Sequence, residues 1–407
     1  MSYSNALIGH ASMFLYVMNH LVGYDAWTMD ELQGYGDPKL NGFKTISHAH
    51  PEIEVPGIEV TTGPLGQGIA NAVGLAIASK NLAANFNKPD CKVIKSRIYC
   101  MTGDGCLMEG VALESITLAG HLSLENLVLL YDNNQVTCDG PLDWINTEDI
   151  NSKMRSCGWD VLDVADGKYD VKAIVAALDL SRVNSGQNGK PVFINIRTVI
   201  GVDMASAGTA KAHHGEFDSE SIATSKSLAG LSPNSKYEVP HNTLDFFRER
   251  RAYGSQIQSE WNELIQKHQE QYPETAAELA IRRSPTGSLR NYASILSGMD
   301  SEIFAGLPTR ESNGIILQKL WKECLSLCGG GADLVNSNKI VYSDADVFGR
   351  TNYQGRYIRN GIREHAMASV ANGMAAYSPG AFLPITATFF MFYIYVRSYP
   401  SLPGLLC

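Results

Sequence analysis

Two oxygen-rich clusters carry the most specific chemistry in this sequence. Gly103-Asp104-Gly105 closes one apolar run (Arg97, Ile98, Tyr99, Cys100, Met101), and Asp132-Asn133-Asn134-Gln135-Val136 closes a second, Leu127 to Tyr131. Asp104 offers a carboxylate and Asn134 an amide oxygen, and an irregular turn after Asn134 exposes backbone carbonyls. Such an all-oxygen, partly charged set suits a hard cation, magnesium or calcium, and Mg²⁺ fills its remaining positions with water and phosphate oxygens. Glycines at 103 and 105 let backbone N–H groups come close to a phosphate. Either cluster alone is ordinary turn or loop-cap chemistry. Their pairing at the ends of neighbouring strands is what points to a site.

The elements around them must supply that pairing. Residues Glu109 to Leu122 have helical spacing, so the unit reads strand, helix, strand; such a crossover makes the strands parallel and brings both ends to one edge. Open α/β sheets bind ligands at that edge. Upstream, apolar residues at helical spacing (Leu7, Met13, Phe14, Tyr16, Val17, Leu21) predict a helix over 4–22, with His10 after Gly9. A loop with Ser47-His48-Ala49-His50-Pro51-Glu52 follows. Then Val60 to Gly68 is a glycine-punctuated loop before a small-residue helix, Ile69 to Asn85. Glycines at a helix start let amides and the helix dipole face an anion, or they only permit tight helix packing.

Downstream, Gly158 to Val164 and Pro191 to Val199 read as strands around an amphipathic helix, Asp170 to Asn184. Alternating strands and helices predict an α/β fold of doubly wound, mostly parallel sheets. Residues 202–242 lose periodicity and hold His213-His214, a candidate active-site loop running into a linker. Asn242 to Arg283 is charged and helical, with Phe246, Phe247, Trp261, Leu264 and Ile265 on its apolar face; the charges read as a solvated face. From about 287 a second α/β unit begins. It contains a helix with Leu317, Leu320 and Trp321, the run Gly329 to Leu334, a helical stretch around Ile362 to Met367, and the apolar run Ala381 to Val396. That last run is broken by Pro384, too short to span a membrane, and is expected to be buried core.

Composition narrows the class. At 407 residues, with 44% hydrophobic and 18% charged residues, the chain can build two or more full cores. A net charge of −9 argues against a general nucleic-acid or anionic-membrane binder. Eight cysteines without a Cys-x-x-Cys pair suggest a reduced intracellular compartment. Cys324 and Cys328, four apart on a predicted helix, read as small core residues. No secretory or transit signal is visible at the start, and the expected location is cytoplasmic; the end, Leu-Leu-Cys, is no peroxisomal address, but a peroxisomal location stays open because the native terminus is expected to be absent.

Gly103 to Gly110 (GDGCLMEG) followed by Tyr131-Asp132-Asn133-Asn134 resembles the thiamine-diphosphate motif of the transketolase family. Ile58 to Gly68, Gly355 to Arg359 and Gly361 to Met367 resemble further signatures of that family, in its order along nearly the whole chain. Tyr131 to Gly140, Asn146 to Ile150 and Leu383 to Thr386 look closest to its fungal dihydroxyacetone-synthase (formaldehyde transketolase) branch.

The resemblance implies a thiamine-diphosphate-binding fold: a diphosphate-binding domain over 1–235, a helical linker over 236–290 and a partial pyrimidine-binding domain over 291–407. It implies Asp104, Asn134 and the Val136 carbonyl as ligands of Mg²⁺, with Ca²⁺ also admissible. Gly63, Leu65, Gly105 and Ile200 would pack around the cofactor, His10 and His214 would lie near its diphosphate, and His50 would face the reacting carbon. Asp333 would place a carboxylate beside the cofactor, and Phe389, Phe392 and Tyr395 would form the pocket of the aminopyrimidine ring. Arg310 and Ser337 resemble sugar-phosphate contacts. Glu364 would be the catalytic carboxylate at the aminopyrimidine ring nitrogen, and Glu109 would link the site to its mate in a homodimer with shared active sites. The implied reaction moves a two-carbon unit from a ketose phosphate such as xylulose 5-phosphate to formaldehyde or an aldose phosphate. His48 and His213 match no family position and are expected to be solvent-exposed or incidental.

Against the family pattern the chain looks truncated at both ends, without the third domain, and full catalysis is in question. It differs also at Ile8, at Ala49 where glycine is usual, and at Gly105 where the synthases tend to have alanine. Two other readings stand beside it. One is a different thiamine-diphosphate enzyme, against which the histidines at 10, 50 and 214 argue. The other is a non-catalytic cofactor-binding or dimerising remnant.

Overall fold

The computed structural model describes residues 3–6, 9–36, 45–215, 217–286, 292–340 and 346–396. Strands β1 (Tyr3–Ala6), β2 (Ile98–Gly103), β3 (Leu127–Asn133), β4 (Asp160–Val164) and β5 (Val192–Arg197) form one parallel sheet in the order β1-β2-β3-β5-β4. The β2–β3 register runs from Ile98 opposite Leu127 to Gly103 opposite Asp132, so the two clusters do end side by side.

Strand alternation explains how both sheet faces are covered. Leu127, Leu129 and Tyr131 of β3 join Ile98 and Cys100 in a core under the helices Gln67–Phe86 and Gly110–His121. Val128 and Leu130 point the other way and pack with Val192, Ile194, Ala177 and Leu178, the last two from the helix Val171–Asn188. Side chains that alternate across a strand fill two separate cores only when helices lie on both faces.

The second unit has two parallel strands, β6 (Leu327–Gly331) and β7 (Leu383–Ala387). Between them the helix Glu364–Tyr377 crosses over and lies on Gln67–Phe86. Both helices are made of small residues at the crossing. A Cβ at Gly74 would overlap the Val370 carbonyl, and one at Gly373 would overlap the Asn71 carbonyl, so glycine sets how closely the two units approach. Asn81 strengthens the contact through its side-chain amide, which donates to the carbonyls of Tyr353 and Gly355 at 3.1 and 2.8 Å. Elsewhere the charged stretch forms two helices, His241–Gln271 and Pro273–Arg283, broken before Pro273.

Several sequence-based expectations change. Tyr3–Ala6 is an edge strand and the first helix is Ser12–Val22, because parallel pairing with β2 outweighs a helical pattern at the chain start; Leu7 and Ile8 lie outside the described residues. Residues 202–242 are not wholly irregular and contain the helices Ala210–His213 and Ser219–Leu228, the second capped by Asp218. Phe246 is exposed instead of lying on a buried face. Cys324 follows a helix and Cys328 lies in β6, so they share no helix, although both are buried as core residues.

The run Ala381 to Val396 is the largest correction. Ala381 and Phe382 are buried, but Phe390 is 89% exposed and Met391 68% exposed, with Phe389, Phe392, Tyr393, Ile394 and Tyr395 also on the surface. Apolar composition marks this run for burial, yet among the described residues no element covers it. No helix among the described residues is long and apolar enough to cross a membrane.

Candidate functional site

The end of β2 turns directly into the short helix Asp104–Met108, which buries the Asp104 side chain at its first residue. The Tyr131 hydroxyl, at the end of β3, donates to Asp104 Oδ1 at 2.5 Å. Asp104 Oδ2 is buried with no hydrogen-bond partner. Burial raises the Asp104 pKa, with the neighbouring Asp132 charge adding to the rise and the Tyr131 bond opposing it. Burial likewise pushes the Tyr131 phenol up, and the Asp104 charge adds to it. A buried carboxylate oxygen left without a proton donor is costly unless a cation completes it.

The loop after β3 is tightly held. Asp132 accepts from the Thr198 hydroxyl, the Asn133 carbonyl accepts from Thr198 N–H at 3.1 Å, and Asn134 Oδ1 accepts from Val136 N–H at 3.0 Å. Gln135, between Asn134 and Val136, has φ of +62°. A left-handed non-glycine residue costs energy and persists where its surroundings over-determine it.

The histidines expected near a diphosphate gather at this edge. The rings of His10 and His50 lie 5.4 Å apart, and desolvation, His50 and His213 together hold the His10 imidazole below its ordinary pKa. His213 itself is exposed, as expected. It also packs against His214 with ring centroids 5.8 Å apart. His214 Nε2 lies 3.8 Å from Cys138 Sγ, tying the helix end to the loop after β3. Gly9 and Gly63 pack against the His50 ring, and Leu65 lies over Gly105. A small cleft between them is lined by Gly9, Gly63, Leu65, Gly66, Thr102 and Cys106. It opens at the start of the helix Gln67–Phe86. Glu109 sits beside Gly66, and Ile200 accepts from Gly208 N–H at 2.9 Å.

A second group sits on the other unit. Glu364 begins the helix Glu364–Tyr377, and its Oε1 accepts from the Thr388 hydroxyl at 3.2 Å. That bond brings the segment with Phe389, Phe392 and Tyr395 alongside Glu364; Phe392 stacks on Tyr395 with centroids 5.8 Å apart. Asp333 follows β6 with φ of +61°, and Ser337 lies in the short helix Val335–Asn338. Arg310 is exposed in the first turn of the helix Thr309–Glu323, 3.9 Å from Glu311, which also pairs with Lys339 at 3.3 Å.

Contacts that sequence reading missed join the units close to Glu364. Glu114 accepts from Ala366 N–H at 2.9 Å, and Gln67 Nε2 lies 3.3 Å from His365 Nε2. Nothing in the residue types marks these pairs, which lie roughly 250 to 300 positions apart. Tyr131 was legible only as the last residue of a strand motif.

Residues 5–287 match the family model "Transketolase, thiamine diphosphate binding domain", and 305–401 match "Transketolase, pyrimidine binding domain". The chain belongs to the transketolase family. Among its relatives are the dihydroxyacetone synthases of Pichia angusta, 43% identical over 98% of this chain and 56% of the relative, and of Candida boidinii, 42% over 95% and 55%. Transketolase 1 of Saccharomyces cerevisiae is 37% identical over 98% of this chain and 58% of its own length. Of solved transketolase structures, that from Pichia stipitis in complex with sedoheptulose 7-phosphate superposes with a TM-score of 0.88 at 37% identity, over 96% of this chain and 57% of that one. The transketolase from Leishmania mexicana gives 0.83 at 35%, over 96% and 57%. This transketolase-family chain thus spans little more than half the length of the relatives it matches.

Proposed function

We propose that the edge formed by β2, β3 and the Gly63–Gly66 loop holds the diphosphate of thiamine diphosphate through Mg²⁺, with Ca²⁺ as a substitute. The observation that carries this reading is the buried, unpartnered Oδ2 of Asp104 at the end of β2, the strand next to β3 and its Asn134–Val136 loop. Asp104, the Asn134 amide oxygen and the Val136 carbonyl are the metal ligands. A cation there offsets the burial that otherwise favours a protonated Asp104.

When bound, thiamine diphosphate supplies an acidic carbon that can carry a two-carbon unit from a ketose to an aldehyde. The protein's part is to bind and orient. Tyr131 fixes one Asp104 oxygen so that the other is available to metal, and Gly63, Leu65, Gly105 and Ile200 pack beside the cofactor. His10 and His214 stand near the diphosphate. His50 exchanges protons with the substrate at its reacting carbon. Glu364, oriented by Thr388, holds a proton at the aminopyrimidine ring nitrogen, inside a wall of Phe389, Phe392 and Tyr395. Asp333 sets a carboxylate beside the cofactor, while Arg310 and Ser337 bind the sugar phosphate.

Glu364 and the histidine cluster lie on different units of the chain, and the aromatic wall is exposed. A second copy that covers this wall and completes the site across Glu109 is the arrangement we propose, a homodimer with shared sites. Exposed apolar patches of this kind mark interaction surfaces, and Ile362 is 78% exposed as well. The domain division proposed is 1–235, 236–290 and 291–407 for diphosphate side, linker and pyrimidine side. The seven described cysteines are free, which accords with a reducing cytoplasmic or peroxisomal setting.

The deciding experiment adds thiamine diphosphate and Mg²⁺ and follows two-carbon transfer from xylulose 5-phosphate to formaldehyde and, in parallel, to ribose 5-phosphate. Turnover with either acceptor is expected, and the ratio assigns the branch. Cofactor binding without product from either acceptor would reduce the function to that of a non-catalytic binding or dimerising chain.

A further inference from the structure

A line of amide side chains runs across the sheet from the metal loop to its far edge. Gln135 Nε2 donates to Asn133 Oδ1 at 2.5 Å, Asn133 Nδ2 to Asn195 Oδ1 at 2.9 Å, and Asn195 Nδ2 to Asn151 Oδ1 at 3.1 Å. Asn151 Nδ2 then donates to Asp163 Oδ1 at 2.7 Å. The members come from the loop after β3, from β3, β5 and the helix Ile150–Ser156, and from β4. In the sheet Asn133 stands two residues from Tyr131, so the line lies beside the site and not in it.

Its direction is fixed chemically. A carboxamide can present either its oxygen or its NH₂ to a neighbour, whereas an ionised carboxylate only accepts. Asp163 at the end therefore requires the NH₂ of Asn151, which leaves the Asn151 oxygen for Asn195, and so on in one sense to Gln135. Hydrogen bonds aligned in one direction polarise each other. The last donor in the line is the side chain of Gln135, the residue held at φ of +62° between the two loop ligands.

The geometry points to a positioning role: Asn133, Asn195, Asn151 and Asp163 hold Gln135 in its left-handed conformation, so that the Asn134 amide and the Val136 carbonyl present their oxygens together to the divalent cation. This rests on the metal reading proposed above and deepens it. None of the four touches the cation; they act through the loop. The line also joins the stretch Tyr131–Gly140 to the helix that follows Asn146–Ile150, the two stretches that most resemble one branch of the family. Asp149 caps that helix by accepting from Ser152 N–H at 3.0 Å, which places Asn151 in its first turn.

The test compares the chain with Asn195→Leu, which keeps the number and branching of the side-chain heavy atoms and breaks the line at its middle, and with Asn151→Ala at the accessible helix. Mg²⁺ is titrated in the presence of thiamine diphosphate by calorimetry, and amide hydrogen exchange of residues 134–137 is read without metal. Asn195→Leu is expected to weaken Mg²⁺ about 10-fold, the lower end of the range for residues behind a metal's ligands, and to speed exchange in the loop; Asn151→Ala does both less strongly. Unchanged loop exchange in both variants overturns the positioning role, whether or not the wild type binds metal. Wild-type Mg²⁺ affinity in both variants, with Asp104→Asn losing it, overturns the role while sparing the site. Absence of Mg²⁺-dependent binding in the unsubstituted chain overturns the site reading and with it the role toward metal. Should Asn195→Leu fail to fold, Asn151→Ala decides by the same two readouts.

Discussion

The hydroxyl of Tyr131 and the carboxylate of Asp104 meet at 2.5 Å across the ends of two adjacent parallel strands, and the second Asp104 oxygen is buried without a partner. The phenol satisfies one oxygen and so defines which oxygen is left for a cation. Tyr131→Phe removes a bond that lowers the Asp104 pKa, so the carboxyl becomes harder to ionise. Mg²⁺-dependent cofactor binding should weaken by roughly 10-fold near neutral pH, and its pH midpoint should move up. Calorimetric titrations across a pH series read both; an unmoved midpoint contradicts the assignment.

Asp104→Asn and Glu364→Ala should separate binding from chemistry. The first is expected to lose metal-dependent cofactor binding. The second should bind cofactor nearly as well as the unsubstituted chain while turnover drops at least about 100-fold, the lower range for a lost acid–base group. Equal cofactor affinity in Asp104→Asn would remove Asp104 from the metal site.

Glu59 gives a pH dependence of stability unrelated to the site. Burial pushes its carboxyl from the ordinary 4.5 up to about 8, and its Oε2 has no partner. Between those values the unfolded chain has released a proton that the folded chain retains, so stability falls as pH rises from about 4.5 to about 8. Glu59→Gln should flatten that slope and add on the order of a few kcal/mol above the window. Urea unfolding at several pH values measures it, and parallel curves for the two proteins would show that Glu59 is not responsible.

Gly373→Ala tests the joint between the units. The added methyl would overlap the Asn71 carbonyl in backbone that cannot swing aside. A loss of about 1–3 kcal/mol or more is expected, seen as a lower urea midpoint. A neutral substitution would mean that the two helices can part without cost.

Burial holds the His10 imidazole below its ordinary pKa, and the His50 ring 5.4 Å away adds to the lowering. In His50→Asn that neighbouring imidazole is gone, and the part of the lowering that it causes should be lost, so the His10 midpoint should rise, as read from its ring resonances by NMR. A midpoint that stays put would separate the two rings.

Much of this molecule was legible in the order of residues. Apolar runs ending in Gly-Asp-Gly and Asp-Asn-Asn, with a helical stretch between, determine a parallel strand pair with both clusters at one edge, because a crossover helix permits no other placement of the ends. The Gly63–Gly68 loop opens a helix as its glycines imply. Local chemistry of this kind is carried by neighbouring residues and can be read from them.

Only the tertiary structure decided the rest. Residue types cannot tell that Tyr131 satisfies one oxygen of Asp104, that the His50 ring meets His10, or that five polar side chains align from Gln135 to Asp163; each depends on strand register and on helices brought together from distant parts of the chain. Nor could composition tell that the apolar segment from Phe389 to Tyr395 lies exposed. Hydrophobicity says that such a segment gains by burial, but what covers it is a property of packing, and here the chain folds its own cores without it.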